Sequence, residues 1–168
     1  SEIGNLINLE VLFLYHNQFS GSIPVEIGSL TNLNYLRLNN NQFNGPIPSE
    51  IGNLVNLTYF ELGGNQFTGN IPTGIGSLIN LSRLGLSSNQ LTGEFPSEIY
   101  NLINLENLFL YNNQLHGELP TGIESLINLE RIDISDNQFT GEFPDGICDL
   151  TNITNLDMQN KRLNLIKG

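Results

Sequence analysis

The sequence of 168 residues contains no alanine, no tryptophan, one cysteine and only six lysine and arginine residues. Because alanine is the strongest helix former, its complete absence argues against a helical protein. No apolar run approaches the ~18 residues of a membrane-spanning helix, and no signal peptide opens the chain. The single cysteine, Cys148, excludes an intrachain disulfide, and we expect it to be a small buried apolar residue.

The 17 acidic residues outnumber the basic ones, so the formal net charge is -11. Nucleic acid is a poor partner for such a chain, because binding to phosphates needs lysine and arginine side chains. The same charge disfavours direct binding to anionic lipid and favours neutral or basic partners through long-range attraction. An acidic surface that only keeps the protein soluble is the simpler alternative.

Asparagine, leucine and isoleucine dominate the sequence, and they recur with a period of 24 residues that fits seven times into the chain. We interpret one repeat as one coil of a solenoid. An asparagine at the bend of each coil is predicted to bond backbone groups of its own coil and of the neighbouring coil. These structural asparagines are Asn17, Asn41, Asn65, Asn89, Asn113 and Asn137, and Lys161 stands at the seventh position.

Each repeat combines a short strand signal with turn residues. Alternating leucines such as Leu36 and Leu38 predict a strand with one buried face. A glycine follows four residues after the asparagine, where positive φ is expected, and a proline follows three residues later. Ser49 and Ser97, which come directly after such prolines, are predicted to cap a short helical turn.

Units such as Leu36-x-Leu38-x-x-Asn41-x-Phe43-x-Gly45-x-Ile47-Pro48 resemble the plant-type leucine-rich repeat, whose hallmark is the Gly-x-Ile-Pro segment. Six Gly-x-(Ile/Leu/Phe)-Pro copies extend the resemblance over essentially the whole chain. It implies an α/β repeat solenoid: a right-handed leucine-rich repeat superhelix with a concave parallel β-ladder, a second short strand row and 3₁₀ turns on the convex side. Members include receptor-like kinase and receptor-like protein ectodomains and polygalacturonase inhibitors.

The domain prediction is a single leucine-rich repeat domain over residues 1–168, built of about seven 24-residue repeats. Ser1 stands in the middle of a repeat, with no N-terminal cap before it, and residues 150–168 form a degenerate last repeat. We therefore expect the chain to be a fragment of a longer protein.

Residues that flank the core leucines of each strand should face solvent on the concave side and carry the binding function. Gly63, Gly64, Gly85, Ser87 and Ser88 predict an uncovered strip along which an extended peptide could lie. The alternative is that aromatic residues here are simply tolerated in exposed strands. The predicted ligand-binding residues are Phe13, Tyr15, Tyr35, Arg37, Tyr59, Glu61, Arg83, Phe109, Tyr111, Arg131, Asp133, Asp136 and Asp157.

The resemblance implies a module that binds a protein or peptide, with no cofactor and no enzymatic activity. His16 and His116 lie in coils about 19 Å apart, too far for one catalytic site. Alternatives are an inhibitor of a cell-wall-degrading enzyme that uses the acidic corner of Asp133, Asp136 and Asp157, and a structural scaffold. A lower alternative is an ice-binding protein that uses the hydroxyl row Ser49, Thr73, Ser97 and Thr121.

Three Asn-x-Ser/Thr sequons, at Asn56, Asn80 and Asn152, are possible glycosylation sites. They suit an extracellular or cell-surface protein whose membrane tethering, if any, lies outside this fragment. All three fall at one repeat position, however, so the repeat pattern alone could create them.

Overall fold

The computed structural model describes residues 2–159 and the backbone of residues 163 and 164. The departure from the repeat at Lys161 lies outside the described residues. Seven parallel strands form one continuous sheet in the order β1-β3-β5-β7-β9-β11-β13. These strands are Val11–Phe13 (β1), Tyr35–Arg37 (β3), Tyr59–Glu61 (β5), Arg83–Gly85 (β7), Asn107–Phe109 (β9), Arg131–Asp133 (β11) and Asn155–Asp157 (β13).

Neighbouring strands of this ladder are displaced by one whole repeat, so equivalent residues lie side by side. Leu36 pairs with Leu12 on one side and with Phe60 on the other. Leu36 and Phe60 are fully buried, because the middle residue of each strand points into the core. The solenoid core is thus a stack of identical positions, as the leucine periodicity predicts.

A second row of short parallel strands follows the first, as expected. It consists of two sheets, β2-β4-β6-β8 and β10-β12-β14. A single bridge from Glu94 to His116 joins the coils where the row is interrupted. The strands are Ser20–Gly21 (β2), Gln42–Pro46 (β4), Gln66–Asn70 (β6), Gln90–Thr92 (β8), His116–Glu118 (β10), Gln138–Glu142 (β12) and Leu163–Asn164 (β14).

Short 3₁₀ turns occupy the convex side. In residues 2–159 none of these helical segments exceeds five residues, so none could cross a membrane. The capping role predicted for Ser49 and Ser97 is wrong: Pro48 and Pro96 hold the cap positions in extended conformation, and the serines lie inside the turns without a side-chain cap bond. The turns are Glu2–Asn5, Val25–Ser29, Ser49–Asn53, Thr73–Ser77, Ser97–Asn101, Ile123–Ser125 and Asp145–Asp149.

The turn Ile123–Ser125 is shorter than its neighbours because of Tyr100. In the regular turns a proline carbonyl accepts the N–H three residues later, as Pro48 accepts from Ile51 at 3.1 Å. The Pro120 carbonyl accepts the Tyr100 hydroxyl at 2.9 Å. A side chain from the preceding coil thus takes the place of a backbone bond at this turn.

The structural asparagines form the predicted ladder. Asn65, which is buried, donates to the carbonyls of Leu38 at 3.0 Å and Leu62 at 2.9 Å, and its Oδ1 accepts the N–H of Phe43 at 3.0 Å. The same three bonds link each coil to the one before it from Asn41 to Asn137. One side chain therefore satisfies three backbone groups that no strand pairs.

A second asparagine ladder, to which the sequence analysis assigns no structural role, runs along the convex side. Each member donates through Nδ2 to the carbonyl 25 residues earlier, at 2.8 to 2.9 Å. The members are Asn32, Asn56, Asn80, Asn104, Asn128 and Asn152.

Cys148 is exposed, so the expectation that it is a buried apolar residue is wrong. It follows the buried Ile147 in a 3₁₀ turn, at the repeat position that Gly52 and Gly76 occupy elsewhere. A residue after the buried isoleucine of such a turn points away from the core.

Candidate ligand-binding face

Two rows of side chains flank the buried central row of the concave ladder. Strand register places equivalent residues of successive coils next to each other along each row. The first row is Val11, Tyr35, Tyr59, Arg83, Asn107, Arg131 and Asn155, and the second is Phe13, Arg37, Glu61, Gly85, Phe109, Asp133 and Asp157.

Phe13, Tyr15, Tyr35 and Tyr59 form what we call the aromatic cluster. Ring centroids of Phe13 lie 5.9 Å from those of Tyr15 and 6.3 Å from those of Tyr35, and the Tyr35 and Tyr59 rings are 6.2 Å apart. Phe13 remains 47% exposed and Tyr35 42% exposed. The Arg37 Cζ atom lies 4.4 Å from the Tyr15 ring centroid, which is cation–π geometry.

Glu61 and Arg83 form an ion pair in the middle of the face. The Arg83 Nε–H donates to Glu61 Oε1, and the Glu61 side chain is only 12% exposed. The Arg83 Cζ atom lies 4.6 Å from the Phe109 ring centroid and 5.3 Å from that of Tyr59. The sequence predicts both charged residues as separate ligand contacts, whereas in the structure they neutralise each other.

A recess of about 330 Å³ opens beside this pair. The glycine positions of its floor admit side chains from the preceding coil: a Cβ on Gly64 would stand 2.5 Å from Asn40 Oδ1, and one on Gly85 would overlap the Glu61 carboxylate. The predicted strip is therefore covered at Gly85 and open at the recess. The recess is lined by Asn39, Asn40, Glu61, Gly63, Gly64, Arg83, Ser87, Ser88, Phe109 and Tyr111.

Three buried polar atoms without a hydrogen-bond partner lie on this face. They are Arg37 Nε, Asn39 Oδ1 and Asn107 Oδ1. Asn39 lines the recess, and Asn107 is the ladder neighbour of Arg83. Buried polar groups are nearly always paired in native proteins, so each of these atoms calls for a partner.

The acidic corner is organised by its own backbone. Asp133 Oδ1 accepts the N–H and the hydroxyl of Ser135, at 3.0 and 2.6 Å, and Asp157 Oδ1 accepts the N–H of Gln159 at 3.1 Å. Asp136 has φ of 49°, a left-handed conformation that aspartate tolerates. Arg131 is exposed beside it. Among residues 2–159 no three acidic, histidine or cysteine side chains converge as a metal site.

The three sequon asparagines are exposed members of the convex ladder. Asn56, Asn80 and Asn152 donate to carbonyls of the preceding coil at 2.9 Å. The sequon hydroxyls also have backbone partners, as Thr58 Oγ1 donates to the Asn34 carbonyl at 3.1 Å. Both elements of the sequon thus have structural roles, in addition to any modification.

Comparison with known proteins agrees with this geometry. A sequence model described as "Leucine-rich repeat region" matches residues 40–167, and one described as "Leucine Rich repeats (2 copies)" matches residues 7–50. No curated protein sequence matches the chain.

Solved structures with the same fold include the ectodomain of the membrane receptor kinase GASSHO1/SCHENGEN3 from Arabidopsis thaliana, in complex with CASPARIAN STRIP INTEGRITY FACTOR 2. It is 39% identical with a TM-score of 0.93, over 97% of this chain and 19% of that one. The plant peptide hormone receptor RGFR1, in complex with RGF2, has the same identity and TM-score over 97% of this chain and 26% of that one.

A plant ice-binding protein is more distant, at 28% identity and a TM-score of 0.76, over 98% of this chain and 60% of that one. The chain thus spans about a fifth to a quarter of the length of the two receptor ectodomains. Repeat pattern, strand ladder and family match agree, and the chain belongs to the plant-type leucine-rich repeat family.

Proposed function

We propose that this chain is a recognition module that binds a protein or peptide ligand on its concave face, around the recess beside Glu61 and Arg83. The observation that carries the proposal is the set of unpaired buried atoms at Arg37, Asn39 and Asn107. Each unpaired group costs about 1–3 kcal/mol, and a ligand that supplies partners recovers that free energy.

The side chains around the recess support the same proposal. Aromatic residues and arginine are the usual anchors of recognition surfaces, because they bury a large area at a small cost in side-chain entropy. Phe109 and Tyr111 form one wall of the recess, and Tyr59 contacts Arg83 on the other side. The two receptors compared above were solved with partners named in their titles, one of them as a peptide hormone receptor.

We further propose that the module is extracellular or at the cell surface and has no enzymatic activity. The receptor kinase match is to an ectodomain, which supports the location. His16 and His116 lie in coils whose ladder strands, β1 and β9, are four strand steps apart, which supports a binding role over acid–base catalysis.

The other functions suggested by the sequence have weaker support. An enzyme inhibitor would use the acidic corner, where Asp133 and Asp157 already accept hydrogen bonds from their own chain. Ice binding would use the hydroxyl row, which is interrupted by Val25 and Asp145 and in which Ser49 bonds Glu50.

Selection of a displayed random-peptide library on the purified chain tests the proposal. We expect the selected peptides to bind Phe109→Ala at least about tenfold more weakly, because an anchor of the recess is lost. Ile103→Ala is the matched control, since Ile103 is 53% exposed on the convex side, near the 3₁₀ turn that precedes β9. Peptides that bind both variants as well as the wild type would overturn the proposal.

A further inference from the structure

The Arg37 guanidinium is held by aromatic rings. Its Cζ atom lies 4.4 Å from the Tyr15 ring centroid and 5.6 Å from those of Phe13 and Tyr59. Its Nε atom is buried without a hydrogen-bond partner, and within residues 2–159 no carboxylate pairs with it. The rings therefore fix a cation in place and leave its charge uncompensated.

The nearest candidate for a partner is already engaged. Glu61 is directly opposite Arg37 in the register of β3 and β5. Its carboxylate accepts the Nε–H of Arg83 and lies over Gly85, on the side away from Arg37. In a chain with a net charge of -11, Arg37 is thus a local positive site.

We propose that Arg37 and the aromatic cluster form a subsite for a carboxylate of the ligand, which deepens the proposed function and rests on it. A guanidinium is a planar fork whose N–H groups match the two oxygens of a carboxylate. The surrounding rings exclude water, and an ion pair is stronger where the local dielectric is low. A basic ligand group is repelled from the same place.

The subsite also fixes a spacing in the ligand. Arg37 lies on β3 and Arg83 on β7, two strand steps apart in the ladder. At ~4.8 Å per step the two positions are about 10 Å apart, and an extended peptide covers that distance in about three residues. The acidic group should therefore stand about three residues from the part of the peptide in the recess.

Nuclear magnetic resonance with small probes tests the subsite directly. We expect N-acetylaspartate methylamide or N-acetylphenylalanine to shift the Arg37 Nε–H and the Tyr15 ring signals, because each carries a carboxylate. N-acetylasparagine methylamide, the neutral analogue, should leave both signals in place. The larger of the two shifts tells whether a side chain or a chain terminus is the better source of the carboxylate. The signals of Arg131 are the internal reference; equal shifts at both arginines, or none at Arg37, would overturn the subsite.

Variants connect this result to the selected peptides. Arg37→Gln should abolish the Tyr15 shift and weaken the selected peptides about tenfold, whereas Arg131→Gln should change neither. An unchanged amide spectrum checks that each variant is folded, and Arg37→Lys tests the charge without the fork. Peptides that lose binding with Phe109→Ala but bind Arg37→Gln normally leave the recess as the site and overturn only the carboxylate subsite.

Discussion

Tyr100 lies against Gly122 of the next coil, so closely that a Cβ atom at position 122 would stand 2.9 Å from Tyr100 Cδ2. The same relation, 22 residues apart, recurs along the convex side. In each pair at least one residue is glycine, since two side chains would occupy the same space. The pairs are Gly4 with Glu26, Gly28 with Glu50, Gly52 with Gly74, Gly76 with Glu98, Tyr100 with Gly122 and Glu124 with Gly146.

This relation predicts that Gly76→Ala destabilises the protein. The new Cβ would stand 2.8 Å from both the Cβ and the carbonyl oxygen of Glu98, so the backbones of two coils must separate. We expect a loss of about 1–3 kcal/mol in the free energy of unfolding. Urea denaturation measures it, with Ser77→Ala, an exposed change in the same turn, as the control. Equal stability of the two variants would contradict the steric argument.

Tyr100→Phe should cost about 1 kcal/mol at neutral pH, because the Pro120 carbonyl loses the hydroxyl that replaces its backbone partner. The cost should also depend on pH. Burial, and to a lesser extent the negative charge of Glu124, raise the pKa of Tyr100. Since the unfolded tyrosine titrates near pH ~10, the native state holds its proton where the unfolded state has lost it.

The stability that Tyr100 contributes is therefore complete below pH ~10 and decreases as the pH rises above that value. Thermal unfolding of wild type and Tyr100→Phe between neutral and strongly alkaline pH measures the difference. We expect the wild type to lose more stability than the variant in the alkaline range. Parallel curves for the two proteins would show that Tyr100 titrates normally.

Asn65→Ala should cost more than Asn17→Ala, although both remove a ladder asparagine. Asn65 is buried and bonds three backbone groups, two of which belong to the preceding coil. Asn17 is exposed and bonds only the carbonyls of Leu14 and Tyr15 in its own coil. We expect about 3 kcal/mol for Asn65 and less than about 1 kcal/mol for Asn17, by chemical denaturation. Equal losses would mean that the bonds between coils add nothing.

The sequence predicts the repeated part of the fold well, because each repeat position has one environment. Leu36 and Asn65 are examples: their spacing alone identifies the buried row and the ladder. Single departures are harder to interpret. Tyr100 stands at a glycine position and Gly122 follows 22 residues later, so the signal is present, but only the packing of adjacent coils shows that the two compensate.

The concave face is predictable only as a set of positions. Strand alternation places Glu61 and Arg83 on that face, and both appear there. Their mutual bond depends on side-chain conformations and on the space above Gly85, neither of which the repeat pattern contains. The unpaired Nε of Arg37 is likewise a property of the packed rings, not of the sequence period.

Secretion of the chain through a eukaryotic secretory pathway should add N-glycans at Asn56, Asn80 and Asn152. All three are exposed, and each uses one Nδ2 hydrogen for the convex ladder, which leaves the second for the sugar linkage. Asn104 and Asn128 are the internal controls: they make the same ladder bond but lack the sequon hydroxyl two residues later.

Peptide mass analysis before and after enzymatic deglycosylation locates the sugars. Glycans confined to the three sequons would confirm that the convex ladder tolerates modification, since the ladder bond needs only one hydrogen. Their absence from secreted, folded protein would contradict it and would mean that the sequon hydroxyls, such as Thr58 with its bond to the Asn34 carbonyl, serve the backbone alone.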